Sequence, residues 1–103
     1  MKKIVQIDKH AEKEISKFPR TVQIKFRALI NILVEKGKLE PPVGKKLSRG
    51  LFEMRIRYKN TYRLIYAYFE HNLIIILSAF VKKVQKTPLK ELQKAEKRLK
   101  QYL

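Results

Sequence analysis

Residues 51–81, LFEMRIRYKNTYRLIYAYFEHNLIIILSAFV, decide how this chain folds. From Leu51 to Tyr58 the side chains alternate. Phe52, Met54, Ile56 and Tyr58 fall on one side and Glu53, Arg55 and Arg57 on the other, which is the two-residue period of a half-exposed strand. Lys59-Asn60-Thr61 reads as a turn, and Tyr62 to Phe69 is rich in aromatic and branched residues, so an antiparallel hairpin is expected. After a second turn at Glu70-His71-Asn72, Leu73 to Val81 is apolar almost without a break, the pattern of a central strand buried on both faces. The expected sheet is a three-stranded meander.

Upstream, Ile4, Val5 and Ile7 suggest a further short strand, and Asp8 suits the N-cap of a helix. Ala11, Ile15 and Phe18 share one face of that helix, which cannot run smoothly through Pro19. Pro19 fits the first position of a second helix, whose apolar stripe Val22, Phe26, Leu29, Ile30, Leu33 and Val34 ends at Gly37, a natural C′ residue. A loop with Pro41, Pro42 and Gly44 leads to the hairpin. Downstream, Thr87 and Pro88 resemble an N-cap and N1 pair, and Leu89, Leu92, Ala95, Leu99 and Tyr102 recur at helical spacing. The chain is therefore expected to be α+β, one domain over residues 1–103 in the order β-α-α-β-β-β-α. An antiparallel sheet packs against an N-terminal helical hairpin, and a helix follows at the C-terminus.

With 103 residues, such a domain buries only roughly 60–65% of its unfolded surface, enough for one core. The absence of cysteine excludes disulfides and thiolate metal sites and fits a reducing compartment, and His10 and His71 show no ligand spacing, so no metal or cofactor is expected. No run approaches the roughly 18–20 apolar residues of a membrane span, and Met1 to Ile7 lacks the pattern of a signal peptide. A soluble, cytoplasmic protein with no membrane partner is expected.

The charge is +16, from 25 Lys and Arg against 9 Asp and Glu. Residues 45–66 and 82–103 carry +6 each and flank the apolar strand. Alternation puts Arg55 and Arg57 on one strand face, and the hairpin brings Arg63 beside them at the ~5 Å of cross-strand neighbours. Guanidiniums at that density repel one another. An anion completes such a patch, and arginine's planar fork suits phosphate oxygens. Lys82, Lys83 and Lys86 leave the end of the apolar strand, while Lys45, Lys46 and Arg49 occupy the loop entering the hairpin. Convergence of the three groups on one concave surface implies a nucleic acid partner. Tyr58, Tyr62, Tyr66 and Tyr68 read first as core packing, with Tyr58 and Tyr62 the better candidates for stacking on bases.

Without a metal, a cysteine or a well-placed histidine, the simplest chemistry for such a patch is on RNA. The 2′-OH attacks the adjacent phosphate while the protein orients the strand, assists proton transfer and stabilises the developing charge. A lysine crowded by other cations has a lowered pKa and suits the role of base.

Lys45-Lys46-Leu47-Ser48-Arg49-Gly50-Leu51-Phe52-Glu53-Met54-Arg55, then Tyr62-Arg63-Leu64-Ile65-Tyr66, then Ala79-Phe80-Val81-Lys82-Lys83-Val84-Gln85-Lys86-Thr87-Pro88 carry the patterns K-L-x-x-G-L-x-E-x-R, Y-R-x-x-Y and F-x-K-K-x-x-K-T-P. In combination they resemble the HigB branch of the RelE-like toxins across nearly the whole chain. The resemblance implies a RelE-like fold and the toxin half of a type II toxin-antitoxin module. Such a toxin is a metal-independent endoribonuclease that cuts messenger RNA in the ribosomal A site and is held inactive by a cognate antitoxin. It implies catalytic roles for Arg55, Arg63 and Lys83, and contacts to messenger or ribosomal RNA for Lys45, Lys46, Arg49, Arg57, Lys82 and Lys86. The chain is expected as a monomer or in a toxin-antitoxin hetero-oligomer.

Two departures stand out. Glu53 replaces a lysine of some members, and Leu89 or Leu92 replaces a C-terminal tyrosine. Glu53 is open to two readings, general base or salt-bridge partner holding Arg55, and its place among arginines favours the second. The alternatives for function are a ParE-like toxin that inhibits DNA gyrase by protein contact and a non-catalytic basic protein that binds RNA or the ribosome.

Overall fold

A computed structural model describes residues 2–83 and 87–103. The elements are β1 (Ile4–Ile7), α1 (Lys9–Ser16), α2 (Arg20–Lys36), β2 (Gly44–Lys46), β3 (Leu51–Tyr58), β4 (Asn60–Phe69), β5 (Leu73–Lys82) and α3 (Leu89–Lys100). The strands form one sheet in the order β1-β5-β4-β3-β2, with β1 parallel to β5 and every other pair antiparallel.

The meander of β3, β4 and β5 is as expected, but the sheet is wider by two strands. β1 joins along β5, and β2 forms inside the stretch read as a loop. Gly-Lys-Lys has no apolar alternation to announce a strand. Its pairing follows from the turn behind it, where Arg49 (φ 57°) and Gly50 (φ 77°) are both left-handed and fold β2 back onto β3. The order is thus β-α-α-β-β-β-β-α, and the sheet's middle strand is β4 rather than β5, although β5 is buried from Ile74 to Ala79 as expected.

Each helix begins and ends for local reasons. Asp8 caps α1, its Oδ1 accepting from the N–H groups of His10 and Ala11 at 2.8 and 3.3 Å. Pro19 stands as N-cap of α2 rather than its first residue, and the N–H of Gly37 (φ 81°) closes that helix by donating to the Leu33 carbonyl at 2.8 Å. Pro88 likewise is the N-cap of α3, and Thr87, expected to cap it, is directed elsewhere.

The helices cover both faces. On one, Ala11, Val22, Phe26 and Leu33 pack against Met54, Leu64, Tyr66, Ile74 and Ile76. On the other, Ala95 with Leu92, Leu99 and Tyr102 covers Leu51, Ile65, Ala67, Ile75 and Leu77. A 12-residue helix is only ~18 Å long, so α3 covers one end of its face and, among the described residues, leaves the other bare.

One irregularity shapes the bare end. Ile65 pairs with Ser78 but Tyr66 pairs with Ile76, so Leu77 is an extra residue, a bulge in β5. Without it, strict alternation would carry Lys82 to the α1/α2 face. With it, Lys82 sits opposite Thr61, on the face of Arg63.

A buried carboxylate, Asp8, and a half-buried one, Glu14, tie the helices together. Asp8 accepts from the Tyr102 hydroxyl at 2.8 Å, and Glu14 accepts from Arg98 at 2.9 and 3.0 Å and from Lys94 at 3.0 Å. Burial pushes both pKa values up, but these bonds, with backbone N–H groups, outweigh it and hold both below the ordinary values of 3.8 and 4.5. Groups with depressed pKa bind fewer protons in the folded than in the unfolded chain, so their stabilisation is full above those ordinary values and is lost as pH falls through the folded ones. Urea midpoints should be flat from pH 7 to 5 and drop below pH 4.5, with a shallower drop in Glu14→Gln.

Gly44 opens β2 where a Cβ would lie 2.6 Å from the Leu39 carbonyl oxygen. Gly44→Ala must displace the loop that contains Pro42, and a loss of ~1–3 kcal/mol in chemical denaturation is expected.

Candidate functional site

The bare end of the sheet is a cleft of about 780 Å³. Arg55 and Arg57 of β3, Arg63 of β4, and Lys82 and Lys83 at the end of β5 line it, with Thr61 between them and Pro42 and Val43 as a wall. Arg55 and Arg63 are direct cross-strand partners, a like-charge pair on adjacent strands. Different surroundings separate their tasks. Arg55 is exposed, with its Nε donating to the Pro42 carbonyl at 2.8 Å. Arg63 is only 5% exposed and is ion-paired through NH1 with Glu53, which is fully buried.

Glu53 is therefore the salt-bridge partner of Arg63, not of Arg55. Its second oxygen accepts from the Thr87 hydroxyl at 2.8 Å, so the residue just ahead of α3 completes the pair. A carboxylate enclosed in this way is a support for the guanidinium rather than a base facing solvent. Among the described residues the buried Arg63 Nε has no partner.

Lys82 is 8% exposed. Burial lowers its pKa, and Arg63, Lys45 and Arg55 lower it further against the opposing pull of Glu53. A lysine so placed has a larger neutral fraction near neutral pH than an exposed one, which suits it to move a proton. Lys83, next in the chain, is exposed at the rim.

A family model described as phage-derived protein Gp49-like (DUF891) matches residues 13–100. The chain belongs to the Gp49-like family. Against curated protein sequences it finds no match. Its fold is that of RelE. A double mutant of Escherichia coli RelE in the free state superposes with a TM-score of 0.70 at 19% identity, over 100% of both chains. The intact Escherichia coli RelBE toxin-antitoxin complex gives 0.66 at 20% identity over 80% of this chain and 99% of that one. The RelBE2 toxin-antitoxin complex of Mycobacterium tuberculosis gives 0.61 at 23% identity over 80% and 100%.

In this Gp49-like chain the fold brings together Arg55, Arg57, Arg63, Lys82 and Lys83. Lys45 joins them, because it pairs with Glu53 and so projects from the same face. Lys46 does not, since it pairs with Phe52, whose ring packs with the α1/α2 side. Arg49 turns to α3, where its NH1 meets Glu96 at 3.0 Å. Lys86 lies outside the described residues.

Neither stacking candidate reaches the cleft. Tyr62 is 6% exposed and packs edge-on against Phe18, with ring centroids 4.9 Å apart, and Tyr58 lies on that same buried side. Tyr66 and Tyr68 are structural, as expected, with burial raising both phenols. His10 bonds Asp8, and the His71 carbonyl accepts from Lys3 at 2.8 Å. The sequence offered no signal for the bulge and so none for the depth of Lys82.

Proposed function

We propose that this protein is the toxin of a type II toxin-antitoxin module of the HigB-like kind, a ribosome-dependent endoribonuclease acting on mRNA in the A site. The observation that carries the reading is the pair Arg63 and Lys82, both nearly buried at the floor of an open cationic cleft. The 2′-oxygen of the substrate forms a bond to phosphorus and the bond to the 5′-oxygen breaks, giving a 2′,3′-cyclic phosphate and a 5′-OH end. The 2′-OH proton is taken up by the protein, and the departing 5′-oxygen takes one from water, whose hydroxide is then neutralised by the proton taken up.

Neutral Lys82 takes the first proton. Arg63 and Arg55 stabilise the charge that develops on the phosphate oxygens, and Lys83 adds a further cation at the rim. Arg57 and Lys45 hold neighbouring phosphates. These cations neutralise the phosphate, so the step requires no metal. The toxin-antitoxin complexes among its structural neighbours support a cognate antitoxin as partner, and the proposed place of action is the cytoplasm.

Purified protein added to translating ribosomes should yield mRNA with 5′-OH ends mapped within the A-site codon. Messages left intact would sink the proposal, and inhibition of DNA gyrase in the same preparation would replace it with the ParE-like reading.

A further inference from the structure

The edge of β5 changes owner along its length. β1 pairs with it only as far as Ile7 opposite Ile76, so beyond Ile76 the outer backbone groups have no strand beside them among the described residues. Two side chains from opposite faces of the sheet meet there. The Ala79 N–H donates to Oε1 of Glu14, from α1, at 3.0 Å. The Leu77 carbonyl accepts from NH1 of Arg98, from α3, at 2.8 Å. The two side chains are joined by parallel bonds of 2.9 and 3.0 Å, and Lys94 adds a third to the carboxylate at 3.0 Å. The segment they grip, Leu77 to Ala79, is the bulge.

We propose that Glu14 and Arg98 are positioning residues for Lys82, clamping the bulge whose extra residue turns that side chain into the cleft. A bulged strand can regain regular pairing by a one-residue slip, and a slip moves every following side chain to the other face. In β5 it would bring Val81 onto the cleft face and send Lys82 to the α1/α2 side. The clamp opposes this because Glu14 and Arg98 bind the particular N–H and carbonyl that the bulge presents at the edge. Neither residue touches the cleft, so both act through Lys82.

The test is an NMR titration of lysine side chains in the full chain. In the native protein Lys82 should titrate below the ordinary lysine value of 10.5, given its burial, Arg63 on β4, Arg55 on β3 and Lys45 on β2, with Glu53 on β3 opposing. In Glu14→Ala and Arg98→Ala its midpoint should move from the native one, because Arg63, Arg55, Lys45 and Glu53 no longer face it. In Glu14→Gln, which keeps a carbonyl oxygen for the Ala79 N–H, it should stay low. A merely structural role would lower the melting temperature of the alanine variants without moving Lys82, and that result would overturn the proposal. If Glu14→Ala does not fold, Arg98→Ala alone decides the point by the same criterion.

Only the kinetic arm rests on the ribonuclease reading. Glu14→Ala should cut the cleavage rate at least ~10-fold in native protein and leave it unchanged on a Lys82→Ala background. Additive losses would count against the clamp. A chain that cleaves nothing yet shows the Lys82 shift would sink the ribonuclease reading and leave the clamp standing.

Discussion

Lys82→Met should slow cleavage of ribosome-bound mRNA by ~10²–10⁴-fold, the range associated with loss of a positioned proton-transfer group. The fold should not suffer. Lys82 is 8% exposed and its ammonium is disfavoured first by burial and then by Arg63, so methionine, of similar length and without charge, suits the same space. The pH dependence separates this from a packing effect. Because the folded pKa lies below the ordinary 10.5, the unfolded chain binds the proton more tightly, and native stability rises with pH between the two values. In Lys82→Met that rise should disappear from urea midpoints measured between pH 7 and 10. The cleavage rate of the native protein should increase with pH toward the lowered value and then level. A methionine variant that cleaves at the native rate would remove Lys82 from the chemistry.

The second large effect concerns the buried pair. Glu53→Ala leaves the buried Arg63 guanidinium without its carboxylate and beside other cations, and loss of one partner of such a pair costs about 3–5 kcal/mol. Arg63→Ala strands the carboxylate and should cost a similar amount. The double replacement Glu53→Met with Arg63→Met removes both charges at once, and its stability should return to within about 1–2 kcal/mol of native, because buried ion pairs exchanged for apolar side chains of similar volume are often neutral. Activity should not return with it. Thermal melts and single-turnover cleavage on the three variants give the contrast. A double variant that folds and cleaves normally would mean that Arg63 contributes structure alone, and one no more stable than the single variants would mean that the pair is not the unit described.

The alternation of Phe52 to Tyr58 and the apolar run from Leu73 are strong periodic signals, and the elements they announced are in place. Asp8 and Gly37 were legible as helix ends because each residue type answers a specific local need. β2 was hidden, since three residues with two lysines carry no periodicity, and its pairing depends on a turn whose conformation Arg49 does not advertise. The cationic residues of the hairpin were legible as a group because a strand face has direction. Their ranking by depth was not. Alternation counted through Leu73 to Lys82 loses its phase at Leu77, and the groups holding that irregularity, Glu14 and Arg98, are 84 positions apart. Tyr62 shows the opposite limit, since an aromatic next to arginines in the chain points to the other side of the sheet from them.

α3 stops short of the end of the sheet. The extent of the cationic surface along the strands is consequently set by the length of a helix, and the same strands pass from core to solvent within a few residues. A segment laid along the unroofed strands would continue the layer that α3 begins, and the five cations beneath it would admit a segment bearing carboxylates while rejecting an apolar one.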